Sequence, residues 1–353
     1  MVRKSYGSYG SSSLSSKHRR RNIQWFILAL VVLIILLSIL LKDGKNEEED
    51  PNDNIMPGNI KVKEPEPKPK PIEPEPKPKP IEPEPKPKPV EPEPASTIAL
   101  SEAGKLMKDA FADIQLSDYI SAREKLSEVL RLKITPEERI RVKKALTGLS
   151  EIWLLSKVAL PGDDLSGSYQ VKSGDNLTAI GNRHRVPPEF LMKVNGIKEA
   201  RGLRAGQNLK VVNGPFNAII YKSTFEMDLY LQNTYVRTYK VGVGKVGKDT
   251  PTGRWRVKSD GKLIRPPWPR PQNQGGGLVQ PDDPEYPLGS RWIGLDGVSG
   301  KAEGRTGFGI HGTKDPQSIG TRSSLGCVRL YNGEVIEVYD MMMPGLSMIQ
   351  IND

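Results

Sequence analysis

The sequence is poor in the residues that build covalent and metal cross-links: it has one cysteine, Cys327, and three histidines in 353 residues. A single cysteine excludes any intrachain disulfide. One thiol and three scattered imidazoles do not stand at the spacing that zinc sites need, so we expect no metal, and no organic cofactor is implied. A lone thiol is either an inert, buried side chain or a reactive group, and residue type alone does not separate the two.

Apolar residues are also scarce, at 36% of the chain, whereas proline (31 residues) and glycine (34 residues) are plentiful. This composition excludes one large globule and predicts a multidomain chain whose small folded units are joined by linkers. Acidic residues are absent from 1–22, a basic tail that carries +6 of the net charge of +10. The remaining excess is thinly spread, so nucleic acid is not an expected partner.

A nearly continuous apolar run, 23–41, follows the basic tail, and only Gln24 and Ser38 within it are polar. At about 1.5 Å per residue, a helix over this run extends roughly 28 Å, which matches the hydrocarbon core of a bilayer. Basic flanks stay in the cytoplasm, so we predict a single-pass anchor in the inner (cytoplasmic) membrane, with the later domains in the periplasm or otherwise outside. A cleaved signal peptide is the alternative, but the run is long and lacks a small-residue cleavage motif.

Proline dominates the next segment, 42–97, where the unit EPEPKPKPI begins at Glu64, occurs three times with Val90 as the last residue of the third copy, and then starts again. Because proline fixes φ and has no N–H, neither helix nor sheet forms there, and polyproline II remains. At about 3.1 Å per residue, the repeats extend roughly 95 Å. We predict a disordered but semi-rigid spacer.

Helical periodicity replaces the proline repeats over 98–160. Thr135, Pro136 and Glu138 form the pattern of an N-cap, a proline at the first helical position and a capping box. Three short helices of this kind predict a small bundle similar to a tetratricopeptide unit. The bundle is either a packing and spacing unit, which we favour, or a module that binds a protein partner. The apolar positions of its helices are Ala103, Leu106, Met107, Ala110, Phe111, Ile114, Tyr119, Ala122, Leu126, Val129, Leu130, Ile140, Leu146, Leu149, Ile152 and Trp153.

Two strings, YQVKSGDNL from Tyr169 and LRAGQNL from Leu203, resemble a LysM domain spanning 168–213. Strand signals at Val171 and at 209–211 flank helix signals at 176–183 and 188–194. The resemblance implies a βααβ fold that binds glycan containing N-acetylglucosamine in a shallow groove. Candidates for the groove's rim are Gly174, Asp175, Asn176, Asn195 and Gly196, and turn capping is an equal alternative for Asp175.

Strand-rich sequence with closely spaced turns fills 216–352 and predicts a mainly β domain, a twisted sandwich or barrel-like unit. His311 and Cys327 lie sixteen residues apart in this domain, and glycines flank both. A thiol needs a base or cation nearby to become a thiolate near neutral pH. If Val328 continues a strand, Arg329 points the same way as Cys327 and is placed to support the thiolate or hold a substrate carboxylate.

Three further strings, TPTG from Thr250, GIHGT from Gly309 and SLGCVR from Ser324, resemble the YkuD-type L,D-transpeptidase family. The resemblance implies that Cys327 is an acylated nucleophile, that His311 is the general base and that the Gly312 carbonyl orients the imidazole. Backbone amides near Gly326 and Cys327 are implied as the oxyanion hole. The candidates for binding substrate are Arg329, Ser324 and Thr313.

One position departs from the family pattern, because many members have histidine where this chain has Leu325. Leucine cannot form a hydrogen bond through its side chain, so any role of that second imidazole is lost or taken over by another group. The proline-rich stretch 265–270 and the glycines 275–277 predict a loop that covers the substrate. Trp292 is either a core residue, which is the interpretation we favour, or a platform for the substrate.

The resemblance implies acyl transfer on peptidoglycan stem peptides. Cys327 attacks the carbonyl of the third stem residue, terminal D-alanine leaves, and an amine of a neighbouring stem resolves the thioester as a 3→3 cross-link. The alternatives on the same site are hydrolysis, as an L,D-carboxypeptidase, and transfer to a lysine of a lipoprotein. A different class of function is a non-catalytic tether between membrane and wall.

Overall fold

The computed structural model describes residues 101–353. The predicted tail, membrane anchor and spacer, at 1–22, 23–41 and 42–97, lie outside the described residues. Within 101–353, no helix has the length and hydrophobicity that crossing a bilayer requires. The described chain has a helical segment, a small βααβ module and a mainly β domain, in that order.

The helical segment contains α1 (Glu102–Gln115), α2 (Tyr119–Val129) and α3 (Pro136–Trp153). At the start of α3, the Thr135 hydroxyl accepts from the Glu138 amide and the Glu138 carboxylate accepts from the Thr135 amide, which confirms the predicted capping box. The placement of Ile140 on the apolar face is wrong, because this residue is 68% exposed. The buried stripe of α3 is instead Val142, Leu146, Leu149 and Trp153, and Ile140 lies about 200° around the helix from Val142.

The module over 168–213 has the βααβ order that its sequence predicts. Its elements are β1 (Ser166–Gln170), α4 (Leu177–His184), α5 (Pro188–Asn195) and β2 (Asn208–Val212), and a short 3₁₀ turn covers Ala200–Gly202. The sequence predicts the first strand at Val171, but the strand ends one residue earlier, at Gln170, so this prediction is wrong by a small displacement along the chain. Val171 is buried, and its backbone still bonds to the backbone of Gln207 and Gly206.

The strands of the mainly β domain are β3 (Phe216–Tyr221), β4 (Glu226–Leu231), β5 (Thr234–Lys240), β6 (Val243–Gly244), β7 (Gly253–Leu263), β8 (Trp268–Pro269), β9 (Leu278–Val279), β10 (Trp292–Gly300), β11 (Phe308–His311), β12 (Arg322–Ser324), β13 (Val328–Arg329) and β14 (Met348–Asn352). Eight of them form one sheet in the order β13-β11-β10-β7-β14-β3-β4-β5. One helix, α6 (Asn332–Met341), and 3₁₀ turns at Gln272–Gln274 and Pro316–Ser318 complete the domain.

The two edges of the large sheet meet, which gives the domain a barrel-like closure. The chain leaves the edge strand β5 at Lys240, and Gly242 then exchanges two backbone hydrogen bonds with Arg329 of the opposite edge strand, β13, at 2.8 and 2.9 Å. The short strand β6 follows and pairs in parallel with β12. This closure brings the segments before and after Cys327 against the β5–β6 connection.

One hydrophobic core runs through all three segments. Phe190 of α5 and Phe216 of β3, both fully buried, pack edge to face with ring centroids 4.9 Å apart. Lys210 of β2 is also buried, and its ammonium donates to the carbonyls of Trp153, Ser156 and Val158 at 2.5, 3.0 and 2.9 Å, at the end of α3. The βααβ module is therefore joined to both neighbours by buried contacts.

The helical segment also contacts the sheet directly. Lys143 of α3 pairs with the buried carboxylate of Asp228 on β4 at 2.7 Å, and Arg237 of β5 pairs with Glu151 of α3. A buried ion pair is costly to break once formed, because either partner alone is left as an uncompensated charge. These contacts agree with our interpretation of the helices as a packing unit.

Candidate active site

His311 and Cys327 lie on neighbouring parallel strands. The strand β11 ends at His311, and β13 begins directly after Cys327; Ile310 lies opposite Val328, and His311 lies opposite Arg329. Because side chains alternate along a strand, Cys327 shares the face of Arg329 and therefore the face of His311. Ile310 and Val328 point into the core on the other face. The pairing thus brings the imidazole and the thiol to one side of one strand pair.

The turn before Cys327 is fixed by its own hydrogen bonds. Gly326 has φ +122°, and a Cβ there would lie 2.9 Å from the ring of Phe308. The Ser324 hydroxyl, which is almost fully buried, donates to the Cys327 carbonyl at 2.6 Å and accepts from the Gly326 amide at 3.1 Å. Ser324 therefore braces the turn, and the Gly326 amide must share or release this bond before it can donate to an oxyanion.

The His311 imidazole is 4% exposed, and the structure defines which of its nitrogens carries the proton. Its Nδ1 lies 2.6 Å from the Gly312 carbonyl oxygen. A carbonyl only accepts, so in the neutral ring Nδ1 carries the proton and Nε2 keeps its lone pair. Burial lowers the pKa of His311 to about 4, assisted by the positive charge of Arg329 and opposed by the bond to Gly312. At neutral pH the ring is an uncharged base.

Cys327 rests as a neutral thiol. Burial raises its pKa to about 11, although a hydrogen bond from the Gly309 backbone and the charge of Arg329 both favour the thiolate. The side chain nevertheless remains partly exposed. A neutral thiol on the same face as a neutral imidazole needs proton transfer during attack rather than a preformed ion pair. This arrangement supports nucleophilic acyl transfer with the imidazole as general base.

Arg329 acts electrostatically on both groups, since its charge lowers the pKa of His311 and of Cys327. Its side chain is partly buried, and Nη1 lies 3.4 Å from the Ser323 hydroxyl. Its Nε is buried and has no hydrogen-bond partner within the described chain. A cation with an unsatisfied donor beside the thiol is suited to an anionic group of a substrate.

Comparison with known proteins agrees with this geometry. The sequence model of the L,D-transpeptidase catalytic domain (YkuD) matches residues 215–351, and that of the LysM domain matches residues 169–212. YkuD of Bacillus subtilis (strain 168), a protein named as an L,D-transpeptidase, is 31% identical over 192 residues, which cover 52% of this chain and 98% of that protein. The chain belongs to the L,D-transpeptidase family.

Other relatives differ in the share of the chain they match. YqjB of Bacillus subtilis (strain 168), also named as an L,D-transpeptidase, is 34% identical over 135 residues, covering 38% of this chain and 70% of that protein. Among solved structures, an L,D-transpeptidase from Mycobacterium smegmatis matches 42% of this chain at 15% identity with a TM-score of 0.31. This chain spans 64% of that protein, just under two thirds.

Thr313 of the L,D-transpeptidase domain is buried, and its hydroxyl is engaged near the 3₁₀ turn at Pro316–Ser318. It donates to the Asp315 carbonyl at 3.1 Å and accepts from the Asp315 amide at 3.0 Å. The backbone of Thr313 instead faces Asn332, a residue that sequence reasoning missed. Asn332 opens α6, where an asparagine is an ordinary turn or cap residue, so its sequence position gave no functional signal.

Trp292 lies against His311, with ring centroids 5.6 Å apart and planes inclined by 21°. It also packs on a separate apolar cluster formed by Val279, Tyr286 and Leu288, to which Trp268 of the β8–β9 hairpin belongs as well. Our interpretation of Trp292 as a core residue is therefore incomplete, because its ring also stacks on the imidazole of His311. The hairpin occupies the stretch where the sequence predicts a substrate-covering loop.

The candidate rim residues of the LysM domain have structural partners of their own. Asp175 accepts from the Tyr169 hydroxyl and the Lys172 amide at 2.7 and 2.8 Å, and Asn176 caps α4 through the Ala179 amide at 2.8 Å.

Asn195 is 3% exposed, and its amide bonds to the backbone of Leu191 and Lys210. Its side chain is thus turned inward. Gly174 and Gly196 have φ +86° and +65°, at a turn and at the end of α5. Glycan contact at all five positions stays a prediction.

Proposed function

We propose that this protein is a peptidoglycan L,D-transpeptidase that forms 3→3 cross-links through a thioester on Cys327. The observation that carries the proposal is the shared face of β11 and β13, on which Cys327 lies together with His311, whose Nε2 is unprotonated. Membership of the L,D-transpeptidase family supports the reaction class.

Acylation begins when the thiol proton of Cys327 passes to Nε2 of His311 and sulfur bonds to the carbonyl carbon of the third stem residue. The tetrahedral oxyanion is held by backbone amides of the 326–327 turn once the Gly326 amide turns from Ser324. The C–N bond to terminal D-alanine then breaks, and its nitrogen takes the proton from His311. The Gly312 carbonyl stabilises the transient imidazolium through Nδ1–H.

Resolution reverses these transfers. An amine on a neighbouring stem peptide loses a proton to Nε2 of His311 and attacks the thioester carbon. The C–S bond breaks, sulfur recovers the proton, and an amide bond joins the two stems. Arg329 anchors a carboxylate of the donor stem in this proposal, since its partly buried guanidinium has an unpartnered Nε.

The remainder of the chain keeps this domain at the wall. In the proposal, 23–41 anchors the protein in the inner (cytoplasmic) membrane, 42–97 spans part of the space outside it, and the LysM domain binds glycan strands. Two attachments raise the effective concentration of the enzyme near its polymeric substrate. The buried contacts between the LysM domain and the catalytic domain support a fixed spacing between glycan binding and chemistry.

Incubation of the purified protein with sacculi rich in tetrapeptide stems, followed by mass spectrometry of the muropeptides, tests the proposal. We expect 3→3 dimers from wild type and none from Cys327→Ala or His311→Gln. The matched control is His184→Gln, which replaces a histidine bonded to Asn213 in the LysM domain and should leave cross-linking intact. Tripeptides alone would identify a carboxypeptidase, and a thiol that forms no acyl-enzyme would indicate a non-catalytic tether.

A further inference from the structure

Asn332, the first residue of α6, joins two loops beside the active site. Its Oδ1 accepts from the amides of Ser290 and Thr313 at 3.0 and 3.3 Å, and its Nδ2 donates to the Thr313 carbonyl at 2.9 Å. The Ser290 hydroxyl donates to the Asn332 carbonyl at 2.9 Å. All of these contacts are with backbone or through backbone, so they fix the path of the chain rather than another side chain.

Two glycines, Gly289 and Gly312, provide the space that the side-chain amide of Asn332 occupies. A Cβ at Gly289 would lie 2.1 Å from Oδ1 of Asn332, and a Cβ at Gly312 would lie 2.2 Å from the same atom. Contacts this short are sterically impossible, so any larger residue at either position would displace the asparagine. The glycine in each loop and the amide between them form one close-packed unit.

This unit includes the group that orients His311. The Gly312 carbonyl and the Thr313 N–H belong to the same planar peptide unit and point in opposite directions from it. His311 Nδ1 bonds to the carbonyl end of that plane at 2.6 Å, and Asn332 Oδ1 bonds to its N–H end at 3.3 Å. Rotation of the plane would break both bonds together. Asn332 therefore fixes the Gly312 carbonyl, which accepts from the imidazole, by bonding to the opposite end of the same peptide plane.

We propose that Asn332 is a positioning residue for catalysis, which fixes the Gly312–Thr313 peptide plane and thereby keeps the proton of His311 on Nδ1. This inference rests on the proposed role of His311 as the base. Without the amide, the plane is free to turn, Nδ1 loses its acceptor, and the ring populates the tautomer whose proton lies on Nε2. That tautomer cannot accept the thiol proton of Cys327.

The test compares Asn332→Ala with Asn332→Asp in the full chain. The aspartate keeps an acceptor for the Thr313 and Ser290 amides but loses the donor to the Thr313 carbonyl, so it should restore part of the effect. Asn233→Ala, in the exposed turn between β4 and β5, is the matched control. Thermal unfolding of each variant checks folding, and the aspartate variant decides the question if the alanine variant does not fold.

Two readouts are needed, the ¹⁵N shifts of the His311 ring and the steady-state kinetics of cross-linking. We expect Asn332→Ala to mix the two tautomers and to lower kcat by roughly 100-fold with little change in KM, a smaller loss than that of a triad carboxylate that holds the tautomer directly. Asn332→Asp should restore part of the Nδ1-protonated tautomer and part of the lost kcat. Asn233→Ala should match wild type in both readouts.

The outcomes separate this inference from the proposed function. If the wild-type protein forms no acyl-enzyme on Cys327, the proposed function fails whatever the variants do. If wild type is active and Asn332→Ala retains both its tautomer and its kcat, the role of Asn332 is overturned while the proposed function stands. A rise in KM with an unchanged tautomer would also overturn it, because Asn332 would then be a substrate contact.

Discussion

The indole of Trp292 covers the imidazole of His311, with centroids 5.6 Å apart and an interplanar angle of 21°. The indole also packs against the apolar cluster to which Trp268 of the β8–β9 hairpin belongs. Trp292 therefore contacts both the histidine and the cluster to which the hairpin contributes. The ring contact adds to the burial that lowers the pKa of His311, because burial disfavours the charged imidazolium.

Replacing Trp292 with alanine should therefore shift the acid limb of the pH–rate profile of acylation to higher pH. Removing the indole admits water, hydration favours the charged imidazolium, and the pKa of His311 rises from about 4 toward its ordinary value of 6.5. The pH dependence of acyl-enzyme formation, followed by mass spectrometry, measures the shift. Trp292→Phe keeps an aromatic cover and should shift the limb less; an unmoved limb in both variants would show that other groups exclude the water.

For the wild-type protein, we expect acylation to lose rate only as pH falls through about 4. The base acts in its unprotonated form, and burial lowers the pKa of His311, so the acid limb lies below the ordinary histidine range. At the alkaline end, the pKa of about 11 at Cys327 keeps the thiol protonated throughout the neutral range. Circular dichroism at each pH controls for unfolding. A limb near 6.5 would contradict the buried, neutral imidazole.

If Arg329 binds substrate as proposed, its substitution by glutamine should weaken substrate binding and also change the ionisation of His311 and Cys327. Loss of a charge-assisted bond of about 1.5–3 kcal/mol corresponds to a rise in KM of roughly 10- to 150-fold. Because the charge of Arg329 lowers the pKa of His311 and of Cys327, both pKa values should rise in the variant.

The kinetics of stem-peptide donors with and without a free terminal carboxylate would locate this effect. If Arg329 binds that carboxylate, the variant discriminates less between the two donors. Arg322→Gln is the matched control. Arg322 is an exposed arginine of β12, and it pairs with Asp249 at 3.4 Å. Equal discrimination by wild type and Arg329→Gln would restrict Arg329 to an electrostatic role at the thiol.

Lys210→Ala should destabilise the described part of the chain as a unit. The substitution leaves the carbonyls of Trp153, Ser156 and Val158 without their shared donor, in a partly or fully buried setting. The expected loss is about 2–4 kcal/mol in the free energy of unfolding. Urea unfolding measures it, with Lys157→Ala, an exposed neighbour, as the control. A loss below about 0.5 kcal/mol would mean that water replaces the ammonium at these carbonyls.

Local features of the fold were predictable where the signal lies within a few residues. The capping box of Thr135 and Glu138 is set by a four-residue pattern, and it begins α3 as expected. Ile140 was misplaced because helical spacing alone admits several apolar faces, and only packing against neighbours selects Val142 and Trp153. The predicted first strand of the LysM domain was misplaced at Val171 for a similar reason, since a buried residue beside a strand has the same hydrophobic signal as one within it.

By itself, the sequence determined the reaction class, through the histidine and cysteine strings, and the order of the folded segments. Tertiary structure decided the state of the site: a neutral thiol and a neutral imidazole, a tryptophan cover and an asparagine behind the orienting carbonyl. The reason is distance along the chain. Ser290 and Asn332 are 42 residues apart, and no local pattern encodes a contact that forms only when two loops and a helix end pack together.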